Sequence, residues 1–157
     1  MPLPLVYLAL SPELAEGLFL EPQLDRLHSV AQVERWMGPG RPPLETVTDA
    51  LRRAQIILTG WDTPSLTPLA EWTPQSFAAR LIAHTAGTVK QLIPVQALER
   101  GLLVTHANDA LAESVADFTL GAILAARRQM FTSAARMKAG QAGVPLALPS
   151  SDVSEHA

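Results

Sequence analysis

The 157-residue sequence contains no cysteine. Disulfides, thiolate nucleophiles and cysteine-ligated zinc are excluded together, although that absence alone does not decide the compartment. Basic charge is also short. Lys and Arg number 12 against 15 Asp and Glu, for a formal net charge of −3. A chain without a basic field has little with which to hold a phosphate backbone, which argues against nucleic acid as a partner. No apolar run is long enough to span a membrane, and the longest, residues 118–126, stops at Arg127-Arg128. The N-terminal MPLPLVYLAL lacks a basic lead and a small-residue cleavage site, so it reads as a first strand and not as a signal peptide. H-E-x-x-H, G-x-S-x-G and P-loop patterns are missing too. The expectation is a cytoplasmic protein with no catalytic motif of those kinds.

What remains is a folded chain. Hydrophobic residues make up 48% and charged residues 17%, a balance that sustains one core. Residues 5–10 form an apolar run suited to a buried strand. Ser11-Pro12-Glu13 supplies an N-cap, a proline at N1 and an acid in the first turn, so a helix is predicted from there to about Phe19. A second strand is weakly marked over residues 30–33. Gly38-Pro39-Gly40-Arg41-Pro42-Pro43 is a loop. Leu44, Val47, Ala50 and Leu51 recur at helical spacing, giving an amphipathic helix over residues 44–53. Residues 56–59 are the third strand, followed by a Gly60-Trp61-Asp62 loop, and Ser65 is placed to cap a short turn before Trp72.

The richest stretch is residues 80–130. It reads as strand (81–84), loop Thr85-Ala86-Gly87-Thr88, short helix (95–100) ended by Gly101, strand (102–105), polar loop and long helix (109–139). The two strand centres lie about twenty residues apart, as a parallel crossover requires. Alternating strands and helices with short loops predict an α/β fold, a flavodoxin-like doubly wound parallel sheet of about five strands with a long C-terminal helix. The domain would span residues 1–139, and residues 140–157, with no periodicity left, read as a loose tail.

Three blocks of this stretch carry a resemblance. "LIAHTAG", "ERGLLVTHA" and "ESVADFTLGAIL", in that order, resemble the substrate-side domain of the D-isomer-specific 2-hydroxyacid dehydrogenase family. They cover about residues 50–130, and their specificity lies in the ordered set. There are departures. Leu111 stands where the family usually has Asn, Val89-Lys90-Gln91-Leu92-Ile93 replaces a G-V-D-x-I-D segment, and Asp117 replaces the Glu of V-A-E.

On residues alone, Thr85-Ala86-Gly87-Thr88 is either an ordinary turn or a nest of backbone amides suited to a carboxylate. Gly87 permits close backbone approach and a positive φ. The resemblance implies the second, a substrate-binding loop for a small 2-hydroxy or 2-oxo acid. It implies likewise that Thr119 lies near the nicotinamide of an NAD(P) cofactor. The alternative for Thr119 is a helix-interior hydroxyl bonded to its own i−4 carbonyl. Among the histidines His28, His84, His106 and His156, the second and third fall on neighbouring strand ends, as a metal pair, a base or two rim residues. No third ligand has motif spacing to them, so no metal site is assigned. Asp62 and Asp109, also at strand ends, read as cleft acids or N-caps, the cap being the stronger reading for Asp109.

The family's cofactor domain carries a G-x-G-x-x-G loop and the catalytic Arg, Glu and His, and no counterpart of these occurs in this sequence. The sequence looks like the family cut after its long connecting helix. That predicts no assigned catalytic residue, no tight NAD(P) binding and no dehydrogenase activity by this chain alone. A stand-alone small-acid-binding or regulatory module of the same origin is the competing reading. A phosphoacceptor domain is disfavoured, because Leu10-Ser11-Pro12-Glu13 offers no acid cluster after the first strand. Val115, Phe118, Leu120, Ile123, Leu124, Met130, Phe131 and Met137 are too many apolar residues for one stripe, so the helix is expected to build a homodimer.

Overall fold

The computed structural model describes residues 2–141. Five strands, β1 (Leu5–Ala9), β2 (Gln32–Arg35), β3 (Ile56–Thr59), β4 (Leu81–His84) and β5 (Leu103–His106), form one parallel sheet in the order β2-β1-β3-β4-β5. That is the flavodoxin-like order, with the chain reversing direction across the sheet after β2. Helices α1 (Pro12–Leu18), α2 (Glu21–Val30), α3 (Leu44–Arg53) and α4 (Val95–Glu99), with a 3₁₀ turn at Thr67–Glu71, connect the strands. Helices α5 (Asn108–Arg127) and α6 (Met130–Lys138) follow. The chain divides into two compact units, residues 1–111 and 112–157, and α5 begins inside the first.

In the first unit the main core lies on one sheet face. Tyr7, Ile57 and Ile82 from the strands meet Val47, Ala50 and Leu51 of α3, with Leu66, Leu69, Trp72 and Ala97 beside them. The spacing of α3 made this legible, since its three buried residues are those at i, i+3 and i+4. On the opposite face Val6, Leu8 and Ala31 are buried, while Phe19, Leu27, Val33, Ile56 and Leu58 are only partly so. Ser11 caps α1 by accepting a hydrogen bond from the Leu14 amide, with Pro12 at the first helical position, as expected. Gly101, at φ 99°, ends α4. Its amide donates to the Leu98 carbonyl and the Leu102 amide to that of Ala97, a Schellman closure that turns the chain into β5.

Several expectations require correction. Helix α2 was not foreseen. It buries no residue fully, and its apolar stripe is short, with Leu27 only partly covered. The second strand is shifted from residues 30–33 to Gln32–Arg35, because Val30 completes α2 and pairing with β1 begins at Gln32. As an edge strand it tolerates the polar Gln32, Glu34 and Arg35. Ser65 caps nothing. Its hydroxyl donates to the Gln91 carbonyl, and the 3₁₀ turn starts after Leu66. Asp109 is not an N-cap either, because α5 already starts at Asn108 and Asp109 falls inside its first turn.

In the second unit, the single long helix expected over residues 109–139 is two. Gln129 adopts the left-handed conformation, φ 51°, which interrupts the hydrogen-bond ladder between α5 and α6. Gly140, at φ 72°, closes α6, with its amide donating to the Met137 carbonyl. The tail expected over residues 140–157 lies, from residue 142 on, outside the described residues, and so does His156.

Candidate functional site

The carboxyl ends of β3 and β4 frame a cleft of about 350 Å³. Gly60, Trp61, Thr63 and Ser65 line it on the β3 side, and His84, Thr88, Gln91 and Leu92 on the β4 side. Its walls are tied by their own hydroxyls. Thr63 accepts from the Gly60 amide and donates to the Ala9 carbonyl, 2.6 Å away, which fixes the loop to β1. Ser65 donates to the Gln91 carbonyl at 2.9 Å, and the Leu66 amide to the Leu92 carbonyl at 2.8 Å. Two loops distant in sequence are thereby held across the cleft. Trp61 is 61% exposed and presents a flat apolar ring beside these polar groups.

The predicted loop follows β4. The Thr85 amide and hydroxyl both reach the Thr59 carbonyl, extending the strand pairing by one residue. Ala86 is buried, and its carbonyl accepts from the Ala107 amide. The amides of Ala86, Gly87 and Thr88 donate to no group among the described residues. Three successive unspent amides at a strand end are the raw material of an anion nest. Thr88 accepts from the Lys90 amide and keeps its own hydroxyl proton available. Of the four predicted loop residues, Thr88 lines the cleft directly.

The reason for the glycine differs from the expectation. Among the described residues, positive φ occurs only at Gly40, Gly101, Gly140 and Gln129, so Gly87 is not left-handed. What it provides is close approach. A Cβ there would stand 2.7 Å from the Asn108 Oδ1. The Asn108 side chain at the start of α5 lies against the loop backbone, and a side chain at position 87 would push that amide aside.

His84 and His106 are direct partners in the β4–β5 register, as neighbouring strand ends predicted. The two are not equivalent rim residues. His84 is only 7% exposed and its Nδ1 is hydrogen-bonded to the hydroxyl of the fully buried Thr59 at 3.0 Å. His106 is exposed, and its Nδ1 accepts from the Asn108 amide at 3.3 Å, which leaves the proton of the neutral ring on Nε2. Burial, and then the neighbouring His106, lower the His84 pKa from 6.5. The neutral ring is therefore the folded-state form at neutral pH. Because the folded pKa is depressed, the unfolded chain binds more protons as pH falls through 6.5. His84 thus contributes stability that is complete above that pH and declines below it. Imidazole resonances followed by NMR should give a His84 midpoint below 6.5, rising toward it in His106→Ala. A midpoint at or above 6.5 in the parent chain would contradict this account of the site.

The remaining candidates are placed elsewhere. The Asp62 Oδ2 accepts from the Ser11 amide at 2.8 Å and joins the end of β1 to the β3 loop. It is neither an N-cap nor part of the cleft lining. Its Oδ1 is buried without a partner among the described residues. Thr119, on α5, donates to the Val115 carbonyl at 2.7 Å, the intrahelical bond weighed against a cofactor role. No group of three or more metal-ligating side chains occurs among the described residues. No described helix is long and apolar enough to cross a membrane. No local pattern signals the Thr59–His84 pairing, whose members are 25 residues apart.

No protein-family model and no curated protein matches the sequence. Solved structures do match. A protein of Pyrococcus horikoshii OT3 shares 23% identity at a TM-score of 0.69, over 90% of this chain and 38% of its own. An NADPH-dependent glyoxylate/hydroxypyruvate reductase from Sinorhizobium meliloti, in complex with NADP and malonate, shares 22% at 0.63, over 95% and 43%. A glyoxylate reductase from Paecilomyces thermophila shares 16% at 0.65, over 93% and 45%. At these identities the shared property is the fold, and this chain spans less than half the length of each of the three.

Proposed function

We propose that this chain is the substrate-side unit of an NAD(P)-dependent D-2-hydroxyacid oxidoreductase, and that the β3–β4 cleft receives a small 2-oxo or 2-hydroxy acid. The observation that carries the reading is the run of undonated amides at Ala86, Gly87 and Thr88, beside a cleft of small-acid size. The ordered sequence blocks and the reductases of like fold support it. In this reading the loop amides and the Thr88 hydroxyl take the substrate carboxylate. Neutral His84 adds no charge of its own and presents a polar ring edge to the cleft, and Trp61 covers the apolar part of the ligand.

A nicotinamide dinucleotide does not fit the residues of this chain as they stand. The sequence holds no G-x-G-x-x-G loop to bring a pyrophosphate onto a helix N-terminus, and the Thr119 hydroxyl is already engaged. No hydride-transfer step is therefore derived from these residues. The expected outcome is that the purified 157-residue chain binds glyoxylate in calorimetry but does not oxidise NADH in its presence. NADH oxidation that survives repurification would overturn the assignment of this chain to the substrate side alone.

The oligomer belongs to the same proposal. Phe118 and Phe131 are 77% and 75% exposed, and Leu124 and Met130 are exposed as well. Apolar area removed from water stabilises by about 25 cal/mol per Å², and large contiguous apolar patches are uncommon on soluble monomers. A two-fold dimer built on Phe118, Leu124, Met130 and Phe131 answers both. Sedimentation at micromolar concentration should give a dimer that Phe118→Glu with Phe131→Glu dissociates. A monomeric parent chain would refute the dimer.

A further inference from the structure

A second cavity, of about 690 Å³, opens between α1, α2 and the β1–β2 edge, lined by none of the residues of the cleft described above. Its floor is apolar, formed by Leu8, Val33 and Phe19. Leu20 and Leu24 line it from the α2 side, one helical turn apart. Although α2 has an apolar stripe, it buries no residue, whereas α3 on the opposite face buries three. A ten-residue helix has little stability of its own in water and depends on packing that face. Here Leu27 packs against the Val6, Leu8 and Ala31 cluster, and Leu20 and Leu24 look into the unfilled cavity.

The polar lining has two signs. Glu16 and Glu21 come from α1 and the start of α2, and Arg35 from β2, with the polar His28 ring at the end of α2 beside them. None of the four side chains forms a hydrogen bond or ion pair among the described residues, although both signs line one cavity. A simple anion would meet the two carboxylates, and a simple cation would meet Arg35. A ligand carrying both charges on an apolar body matches the lining throughout. The volume lies within the range of small-molecule sites and accommodates an aromatic side chain with ordered water.

We infer that this cavity is a binding site for a zwitterionic amphiphile, an α-amino acid with a large apolar side chain, and that its occupancy completes the packing of α2 on the sheet. The site is separate from the acid-binding cleft and stands or falls independently of it. The test uses L-phenylalanine, phenethylamine and 3-phenylpropionate, titrated into the labelled full chain by NMR. L-Phenylalanine should shift the Leu20 and Leu24 methyls saturably, leave the Ala86, Gly87 and Thr88 amides unmoved, and bind at least tenfold more tightly than either single-charge analogue. Arg35→Ala should abolish its advantage over phenethylamine, and Glu16→Gln with Glu21→Gln its advantage over 3-phenylpropionate. Both changes are at exposed positions, so circular dichroism should report an intact fold. Equal affinity for the three probes would reduce the site to apolar partition and overturn the proposal. So would the absence of methyl shifts, or shifts confined to the β3–β4 cleft.

Discussion

Trp72→Ala is expected to destabilise the first unit by about 3–5 kcal/mol, the usual cost of truncating a buried aromatic residue to alanine. Trp72 is 2% exposed and stands in the main core with Leu66, Leu69 and Ala79. Its Nε1 donates to the Ala79 carbonyl at 3.0 Å, and that carbonyl also accepts from Arg80 at 3.1 Å. The alanine variant therefore leaves no orphaned acceptor, and the loss is almost wholly cavity. Against a total stability of about 5–15 kcal/mol for a domain, this is a large fraction. The consequence reaches the cleft. The 3₁₀ turn that Trp72 anchors follows Ser65 and Leu66, which bond across to Gln91 and Leu92. Urea denaturation should show the midpoint falling sharply in Trp72→Ala and much less in Trp72→Phe. A change within about 1 kcal/mol for the alanine variant would mean that this connection collapses around the void, contrary to the packing described.

Gly87→Val is expected to lower affinity for a small 2-oxo acid by at least about tenfold, equivalent to about 1.4 kcal/mol, while leaving the fold nearly as stable as the parent. The backbone there is not left-handed, so no strain attends the substitution on that account. The new Cβ meets the Asn108 Oδ1 at 2.7 Å, and Asn108 is exposed and can swing its amide into solvent. A branched side chain beside three unspent amides, by contrast, takes the space their ligand needs. Calorimetry on the variant and a urea midpoint together separate the outcomes. Unchanged affinity would reduce the loop to a turn, and a large loss of stability would make the glycine structural.

Much of this architecture was legible because its signals are local. Apolar runs at 5–10, 56–59 and 81–84 mark strands, the last two with one buried and one half-buried face, and Gly101 ends its helix by a closure that needs glycine's left-handed freedom. The errors share a different cause. Helix α2 buries no residue fully, and its short apolar stripe, with Leu27 only partly covered, is lost among polar neighbours. A single left-handed residue at Gln129 splits a helix without altering the composition on either side. Gly87 was singled out for close approach of a ligand and for a positive φ; its φ is not positive, and the group that stands against it is a side chain of the same chain. Its neighbour, Asn108, arrives from the next strand–helix junction, a contact no local pattern reports. The same holds for His84, whose burial and bond to Thr59 exist only once β3 and β4 are paired.

The central claim is that the amides after β4 hold the carboxylate of a small 2-oxo acid, and a titration of the ¹⁵N-labelled chain with glyoxylate tests it most directly. The account predicts saturable shifts at the Ala86, Gly87 and Thr88 amides, with smaller ones at Trp61 and His84, and the loss of all of them in Gly87→Val. Amides that stay unmoved at saturating glyoxylate, or shifts that appear only away from the β3–β4 cleft, would contradict it.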